Sequence, residues 1–390
     1  STSTGKYITP FYFEIDPNTL VKNDDGTYQY DLRSINTNGS NAAVARNSNS
    51  SDRLTNTNIM LNYQREFGKH DVNAQFIYLQ RGYFRNNPAS NNYNAALGER
   101  NQGIAGRLTY NFDRRYYTEF NFAYNGSDNF VEGKKFGFFP SIALGYILSN
   151  EKFFEPLTKV VSLLKVRGSY GLVGNDQIGG DRRFIYNETV IGGGKYYFGT
   201  TPSQYTSVRL GEFPNPNVGW EKAKKFNLGA DLSFFNQLNI SVDYFKENRE
   251  GIFLQRKSIP MYVGLSTKPW VNIGKMRNSG IDASLEYHQP LGKDLHLTVR
   301  GNFTYARNRI MDQDEPDYAY TYMNHSGQMQ WQKFGLVAAG LFQDQEDIDS
   351  WAKQSFGEVK PGDIKYLDLN GDGIVDNYDT KPIGYSDIPE

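Results

Sequence analysis

The chain has 390 residues, a formal net charge of −1 and only 38% hydrophobic residues, yet it carries 26 Phe and 28 Tyr. No run of about 18 apolar residues occurs, which excludes a transmembrane helix, and the near-neutral balance offers no electrostatic footprint for nucleic acid. Cysteine is absent, so disulfides and thiolate metal sites are excluded, while a low mean hydropathy leaves a membrane β-barrel open because half of each strand faces water.

The chain opens on Ser1-Thr2-Ser3-Thr4, with neither the basic start nor the apolar core of a signal peptide. It is therefore expected to be processed, truncated or an internal piece of a longer protein. Residues 1–52 hold little strand material beyond Phe11-Tyr12-Phe13. Asn23-Asp24-Asp25-Gly26 is a turn signal, and Ser34 to Ser51 is rich in Asn, Ser and Ala. The expectation is a long polar loop.

From Ile59 onward the chain alternates. Ile59, Leu61 and Tyr63 lead to a turn at Phe67-Gly68-Lys69-His70, and Val72, Ala74, Phe76 and Tyr78 return. Ile104, Leu108, Tyr110 and Phe112 precede a turn at Asp113-Arg114-Arg115, with Phe120, Phe122 and Tyr124 coming back. Lys134 to Ile147 reads as an aromatic strand interrupted by Pro140. Leu164, Val166, Tyr170 and Leu172 form another strand, and Gly192-Gly193-Gly194 is expected to break or bulge the irregular Arg183 to Phe198 stretch.

The clearest pattern lies in Phe226 to Tyr244. Phe226, Leu228, Ala230, Leu232 and Phe234 turn at Phe235-Asn236-Gln237 into Leu238, Ile240, Val242 and Tyr244. Period-two alternation puts these side chains on one face of each strand, and the short polar turn makes a hairpin. Each run is about nine residues, near the 9–11 that a tilted strand needs to cross a bilayer. Ile281, Ala283, Leu285 and Tyr287 pair by pattern with Leu295, Leu297, Val299, Phe303 and Tyr305 across Gln289-Pro290-Leu291-Gly292. Tyr318 to Gln332 is polar and aromatic, a last apolar stretch spans Gly335 to Phe342, and the remainder is acidic and rich in turns.

Across these strands the apolar set contains no charged residue. The opposite set holds Arg107, Glu119, Lys165, Arg167, Asp231, Asp243, Asp282, Glu286 and Arg300. A basic side chain facing lipid at mid-bilayer costs roughly 2–4 kcal/mol, whereas one facing the lumen costs little. The apolar set is therefore expected to face lipid, with Leu228, Leu232, Ile240, Val242, Ala283 and Leu285 as its markers. A soluble sheet with one wet face alternates in the same way; strand length and the aromatic strand ends favour the membrane.

Few residues suggest chemistry. His70, His288, His296 and His325 lack metal-ligand spacing. Gly192-Gly193-Gly194-Lys195 lacks the leading Gly and the Ser or Thr of a phosphate loop. No nucleophile elbow occurs, and Asp282 with Glu286 reads as hydrated lining. No catalytic residue is expected. Residues 368–379 are more specific. Asp368, Asn370, Asp372, Asp376 and Asp379 place oxygens at positions 1, 3, 5, 9 and 12 of an EF-hand-type loop, with Gly373 at position 6 and the Ile374 carbonyl at 7. Asp379 stands where Glu is usual and no flanking helices are evident. A structural Ca²⁺ is expected there, the alternative being an Asp-rich turn without an ion.

Several stretches together resemble the barrel of SusC/RagA-type TonB-dependent outer-membrane transporters. They are residues 136–146, 164–176, 215–227 and 278–282, then Gly340-Leu341-Phe342-Gln343 and Gly362-Asp363-Ile364-Lys365-Tyr366 before the Asp-rich loop. The resemblance covers residues 130–390 well and 50–130 loosely. It implies an all-β fold: part of an antiparallel transmembrane barrel of about 22 strands, of which this chain supplies about a dozen. By residue range, 1–52 would be a long polar, extracellular loop region, 53–345 barrel strands and loops, and 346–390 an acidic loop region. The family's plug, TonB box and final strands would lie outside this chain.

The resemblance further implies an active importer rather than an enzyme, placed in the outer membrane of a Gram-negative bacterium among lipid and lipopolysaccharide. It would take up glycan or peptide oligomers with a SusD-like surface lipoprotein and draw energy from TonB through the missing N-terminal region. The alternatives are a passive porin and a non-transporting, surface-attached β-rich calcium-binding module.

Overall fold

The computed structural model describes residues 2–9, 13–34, 40–49, 51–86, 97–179, 182–199, 203–265 and 267–384. Two units make up the chain, Ser1–Leu54 with Gly82–Gly98, and Thr55–Arg81 with Glu99–Glu390.

In the first unit, strands replace the expected polar loop. β1 (Thr2–Thr9) pairs with β6 (Ser40–Asn49), β2 (Phe13–Ile15) with β5 (Leu32–Ser34), and β3 (Val21–Lys22) with β4 (Tyr28–Gln29). The pairs nest as one long hairpin around the turn at Asn23 to Gly26. That turn closes because Gly26 accepts a φ of 85° and donates its N–H to the Asn23 carbonyl at 3.0 Å. Backbone pairing, assisted by an Arg33–Glu14 ion pair, orders a segment with no hydrophobic alternation for a sequence reading to detect. Phe11 and Tyr12 lie outside the described residues.

The second feature is a ten-stranded antiparallel sheet in meander order, rather than about a dozen strands. Its members are β7 (Ser51–Phe67), β8 (His70–Asn86), β9 (Glu99–Phe112), β10 (Tyr116–Ser127), β11 (Phe136–Ile147), β12 (Val161–Asn175), β15 (Glu221–Phe234), β16 (Leu238–Gln255), β17 (Trp270–Pro290) and β18 (His296–Asp312). β13 (Val190–Phe198) and β14 (Ser203–Leu210) form a separate hairpin between β12 and β15, with the register shift between Gly192 and Lys195 that the glycine run predicts. Among the described residues the ten strands do not close on themselves, and residues 313–345 add no strand to them.

Two strand expectations need correction. Pro140 does not interrupt β11: it pairs opposite Phe122 on β10, and β12 pairs only from Ser141 onward, so no ladder bond on that side needs the missing N–H. The strands are also far longer than nine residues, reaching 18 in β16 and 21 in β17. Their outer ends carry charges on both faces, which erases the alternation. Instead they are held by cross-strand pairs, Lys225–Glu247 at 3.3 Å and Lys224–Glu250 at 2.9 Å.

The register sorts side chains as the alternation predicts. Val166, Ala230, Val242, Ala283 and Phe303 lie in one row on one face, and Leu232, Ile240 and Leu285 in the next. Asp231, Asp243, Asp282 and Glu286 occupy the other face. Phe303 is 61% exposed and Leu228 49%, so this apolar face has no cover among the described residues and calls for an apolar medium.

The two ends of the sheet differ. At one end most turns are tight, the β11–β12 connection of residues 148–160 excepted: Asp113 and Arg114, and likewise Phe235 and Asn236, all take φ near +53°, as a primed turn requires at both central positions. An aromatic row runs along this end, Phe67 to His70 (5.7 Å), His70 to Phe112 (5.0 Å), Phe112 to Tyr116 (6.4 Å) and Tyr116 to Tyr146 (5.0 Å). At the other end the connections are long. They share a small core of Phe130, Ile178, Ile185 and Val218 packed against Trp220, Phe253 and Trp270.

Beyond β18 come only short pairings: β19 (Phe334–Gly335) with β24 (Lys381–Pro382), β20 (Ala338–Leu341) with β22 (Ile364–Tyr366), and, in parallel, β21 (Lys353–Gln354) with β23 (Ile374–Val375).

Candidate functional site: the polar face of the sheet

The polar face is built around Arg167, whose side chain bridges three strands. Its Nη1 and Nη2 donate to the two oxygens of Asp243 on β16, both at 2.6 Å. Its Nε donates to Asp231 on β15 at 3.2 Å, and Ser241 Oγ donates to the same carboxylate at 2.6 Å. Lys165 stands 3.9 Å from Asp231. The planar guanidinium can lie across the sheet because Gly229, opposite Arg167 in register, has no side chain. A Cβ there would come within 2.5 Å of Asp243 Oδ1 and 2.9 Å of Arg167 Cζ. Charged residues were expected on this face, but neither their pairing nor the part of Gly229 and Ser241 follows from spacing. Arg107 with Glu119 (2.7 Å) and Arg300 with Glu286 (2.9 Å) form further ion pairs on it.

Two cavities open on the same face. One of about 410 Å³ is lined by Gln75, Arg107, Asn121, Asn125, Phe139 and Ser141. The other, about 340 Å³ at the long-connection end, is bounded by Asn101, Asn125, Asn129, Asp176, Arg182 and Trp220. Asn125 Oδ1 and Asn129 Oδ1 are buried there with no hydrogen-bond partner, acceptors free to meet a donor such as water or a hydroxyl. The walls thus offer both donors and acceptors. None of these groups is arranged as a nucleophile with its base.

At the same end Asp314 ties two connections together. Its carboxylate accepts from the backbone N–H groups of Lys257 (2.7 Å) and Ser258 (3.1 Å) and from Arg256 Nε (2.8 Å). Burial works against its charge, yet these bonds outweigh it and hold the carboxyl below its ordinary range.

The Asp-rich loop is stapled by its own carboxylates. Asp368 accepts from the N–H groups of Gly371 (2.7 Å) and Gly373 (2.8 Å), Asp372 from Ile374 (2.8 Å), and Asp376 from Tyr378 (2.7 Å). Asp379 is fully buried and accepts from Leu369 (2.7 Å) and Asp376 (2.8 Å). Asn370 Nδ2 donates to Asp372 at 2.9 Å, and its Oδ1 accepts the Asp372 N–H at 3.0 Å. Among the described residues, no three carboxylates or histidines stand close enough together to hold a metal ion. Tyr322 docks on the loop by donating to the Tyr378 carbonyl at 2.7 Å. Burial, then the charges of Asp379, Asp368 and Asp372, push its phenol up. The histidines have aromatic neighbours: His70 sits between Phe67 and Phe112, His288 stacks on His296, and His325 packs on Phe334 at 4.0 Å.

The family model described as "TonB dependent receptor-like, beta-barrel" matches residues 7–380. The chain belongs to the TonB-dependent receptor β-barrel family. Its relatives include TonB-dependent receptor P3 of Formosa agariphila, 28% identical over 294 residues, covering 72% of this chain and 28% of that protein. TonB-dependent receptor SusC of Bacteroides thetaiotaomicron is 29% identical over 296 residues, with the same shares. The chain thus spans about 28% of the length of these relatives. Among solved structures, the RagAB peptide importer in its closed-closed state superposes with a TM-score of 0.64 at 19% identity, over 86% of this chain and 38% of that one. The TonB-dependent receptor family consists of outer-membrane transporters, not enzymes, and the open sheet here is part of its barrel fold.

Proposed function

We propose that this chain forms the central part of the barrel of an outer-membrane importer of the SusC/RagA kind, which takes up glycan or peptide oligomers delivered by a SusD-like surface lipoprotein, with energy supplied through TonB. The observation that carries this reading is a sheet with one bare apolar face, one charged face lined by polar cavities, and most of its long connections at one end. Short turns belong on the periplasmic side of such barrels and long loops outside. The end with Trp220, Asp314 and the Asp-rich loop is then extracellular and available to a lipoprotein. Unpaired sheet edges are not tolerated in lipid, so strands beyond these ten complete the wall.

Affinity purification of the intact receptor from outer membranes is expected to bring down one surface lipoprotein. Uptake of fluorescent oligosaccharides or peptides is expected to stop when the proton gradient is collapsed. Uptake that continues without the gradient would identify a passive porin, and purification with no lipoprotein would sink the lid.

Within this reading, we propose that the Asp-rich loop takes Ca²⁺ through Asp368, Asn370, Asp372, Asp376, Asp379 and the Ile374 carbonyl. The oxygens of Asp368, Asp372 and Asp376 accept at most one hydrogen bond each and keep a lone pair, whereas Asp379 Oδ1 accepts two, from Leu369 and Asn370. A cation would have to draw these carboxylates together from their present N–H partners, so binding in the range of about 10⁻⁴–10⁻³ M is expected. Calorimetry on the intact receptor should show calcium heats that disappear in a D368A/D372A variant. Equal heats from both proteins would leave the loop as a self-stapled turn.

A further inference from the structure

Above the apolar belt, on the same face and towards the long-connection end, the residues change from aromatic to basic. The register lines up Tyr170, Phe226, Lys246, Ser279 and Arg307 in one row, then Leu172, Lys224, Asn248, Arg277 and Arg309, then Lys222, Glu250 and Lys275. The row beneath is Leu228, Tyr244, Ile281 and Tyr305. Seven basic side chains thus share four adjacent strands of the apolar face. They meet two acidic ones, Glu250 and, past a register shift, Asp312.

Glu250 is taken by Lys224 at 2.9 Å. Arg277 and Arg309 stand directly opposite each other, a like-charge pairing that weakens a sheet unless an anion lies between. Each is held by a neutral acceptor instead: Arg277 Nε donates to Asn248 Oδ1, and Arg309 Nη1 to the Gly327 carbonyl, both at 3.1 Å. Among the described residues Lys246, Lys275, Arg277, Arg307 and Arg309 have no carboxylate within ion-pair distance, and all but Lys246 are exposed.

We infer that this cluster holds the phosphate groups of a glycolipid in the outer leaflet. The inference rests on the apolar face being the lipid face. A ligand at this height has hydrocarbon alongside Phe226, Tyr244, Ile281 and Tyr305, and meets cations one residue pair, roughly 7 Å, further along each strand. That geometry fits an amphiphile with acyl chains below and anions above. Four strands at about 4.8 Å spacing span roughly 14 Å, enough for a headgroup bearing more than one phosphate. Arginine guanidinium matches phosphate oxygens in pairs, and an anion between Arg277 and Arg309 would relieve their repulsion. An acidic protein partner would need no acyl-compatible belt directly beneath it.

Native mass spectrometry of the intact receptor in mild detergent tests this, with bis-phosphorylated lipid A, fully dephosphorylated lipid A and inorganic phosphate as probes. Retention of bis-phosphorylated lipid A is expected to fall about tenfold or more in a K246Q/R277Q/R307Q/R309Q variant. A K165Q/K225Q variant, which removes charge from the opposite face, should retain it unchanged. Undiminished retention by the fourfold variant overturns the inference, as does equal loss in the control or equal binding of dephosphorylated lipid A. Inorganic phosphate held as tightly as the lipid would replace the glycolipid by a free anion. Should the fourfold variant not fold, judged by its heat-shifted mobility, K246Q/R307Q is expected to lose an intermediate share, and no loss would overturn the inference. None of these readings involves uptake or a lipoprotein, so they stand or fall apart from the transport proposal.

Discussion

Replacing Arg167 with Met should destabilise the receptor by about 1–3 kcal/mol, and adding Asp243→Asn to that variant should return part of the loss. Removing one partner of a fully buried ion pair costs about 3–5 kcal/mol because the other charge is left without compensation. The discount here reflects access to water: the Arg167 side chain is 33% exposed, with Asp231 at 25% and Asp243 at 18%. Arg167 is the shared cation of two carboxylates on different strands, so its loss leaves Asp231 and Asp243 facing each other across Gly229. Neutralising Asp243 removes that repulsion and leaves Asp231 with Lys165 at 3.9 Å. Urea unfolding of the four proteins of the cycle, followed by heat-shifted mobility, gives the coupling directly. Strictly additive losses would mean that the bidentate contact contributes nothing and that Arg167 acts only through packing.

The second large effect is expected from two neighbouring positions. Ala283→Arg should cost about 2–4 kcal/mol in a bilayer, whereas Ser284→Arg should cost a small fraction of that. Ala283 sits between Val242 and Phe303 on the apolar face, and Ser284 lies opposite Ser241 on the polar face. One residue along the strand exchanges hydrocarbon for water. Unfolding from lipid vesicles reads the difference, and equal costs at the two positions would remove the assignment of faces.

Much of this was legible in the residues. The turns at Gly68, Asp113 and Phe235, and the parity of Arg107, Glu119, Lys165, Arg167, Asp231, Asp243, Asp282, Glu286 and Arg300, follow from alternation and turn chemistry alone, because lipid permits no exceptions on one face. Legibility stops where that constraint stops. Lys222 to Lys225 and Glu247 to Glu250 lie past the apolar belt, so both faces tolerate charge and the strands outrun their pattern. The nested hairpin of residues 2–49 is held by backbone pairing through Asn- and Ser-rich sequence, and β14 by its register with β13. The Arg167 bridge was hidden for another reason. β12 and β15 are separated by residues 176–220, and only their register places Arg167 over Gly229 and within reach of Asp243. In the Asp-rich loop the ligand spacing is plain, but the commitment of each carboxylate to a backbone N–H is a property of the fold.

The meander order has a consequence for how such a wall is made. From β7 to β12, and again from β15 to β18, every strand finds its partner in the segment synthesised just before it. Closing each tight turn is entropically cheap, so the wall can grow as a zipper, one hairpin adding its edge to the last. The single detour is residues 176–220, across which β15 must find β12 after a long excursion. Arg167, reaching from β12 to Asp231 and Asp243, ties together the two strands that follow that excursion, at the one seam where the zipper has to restart.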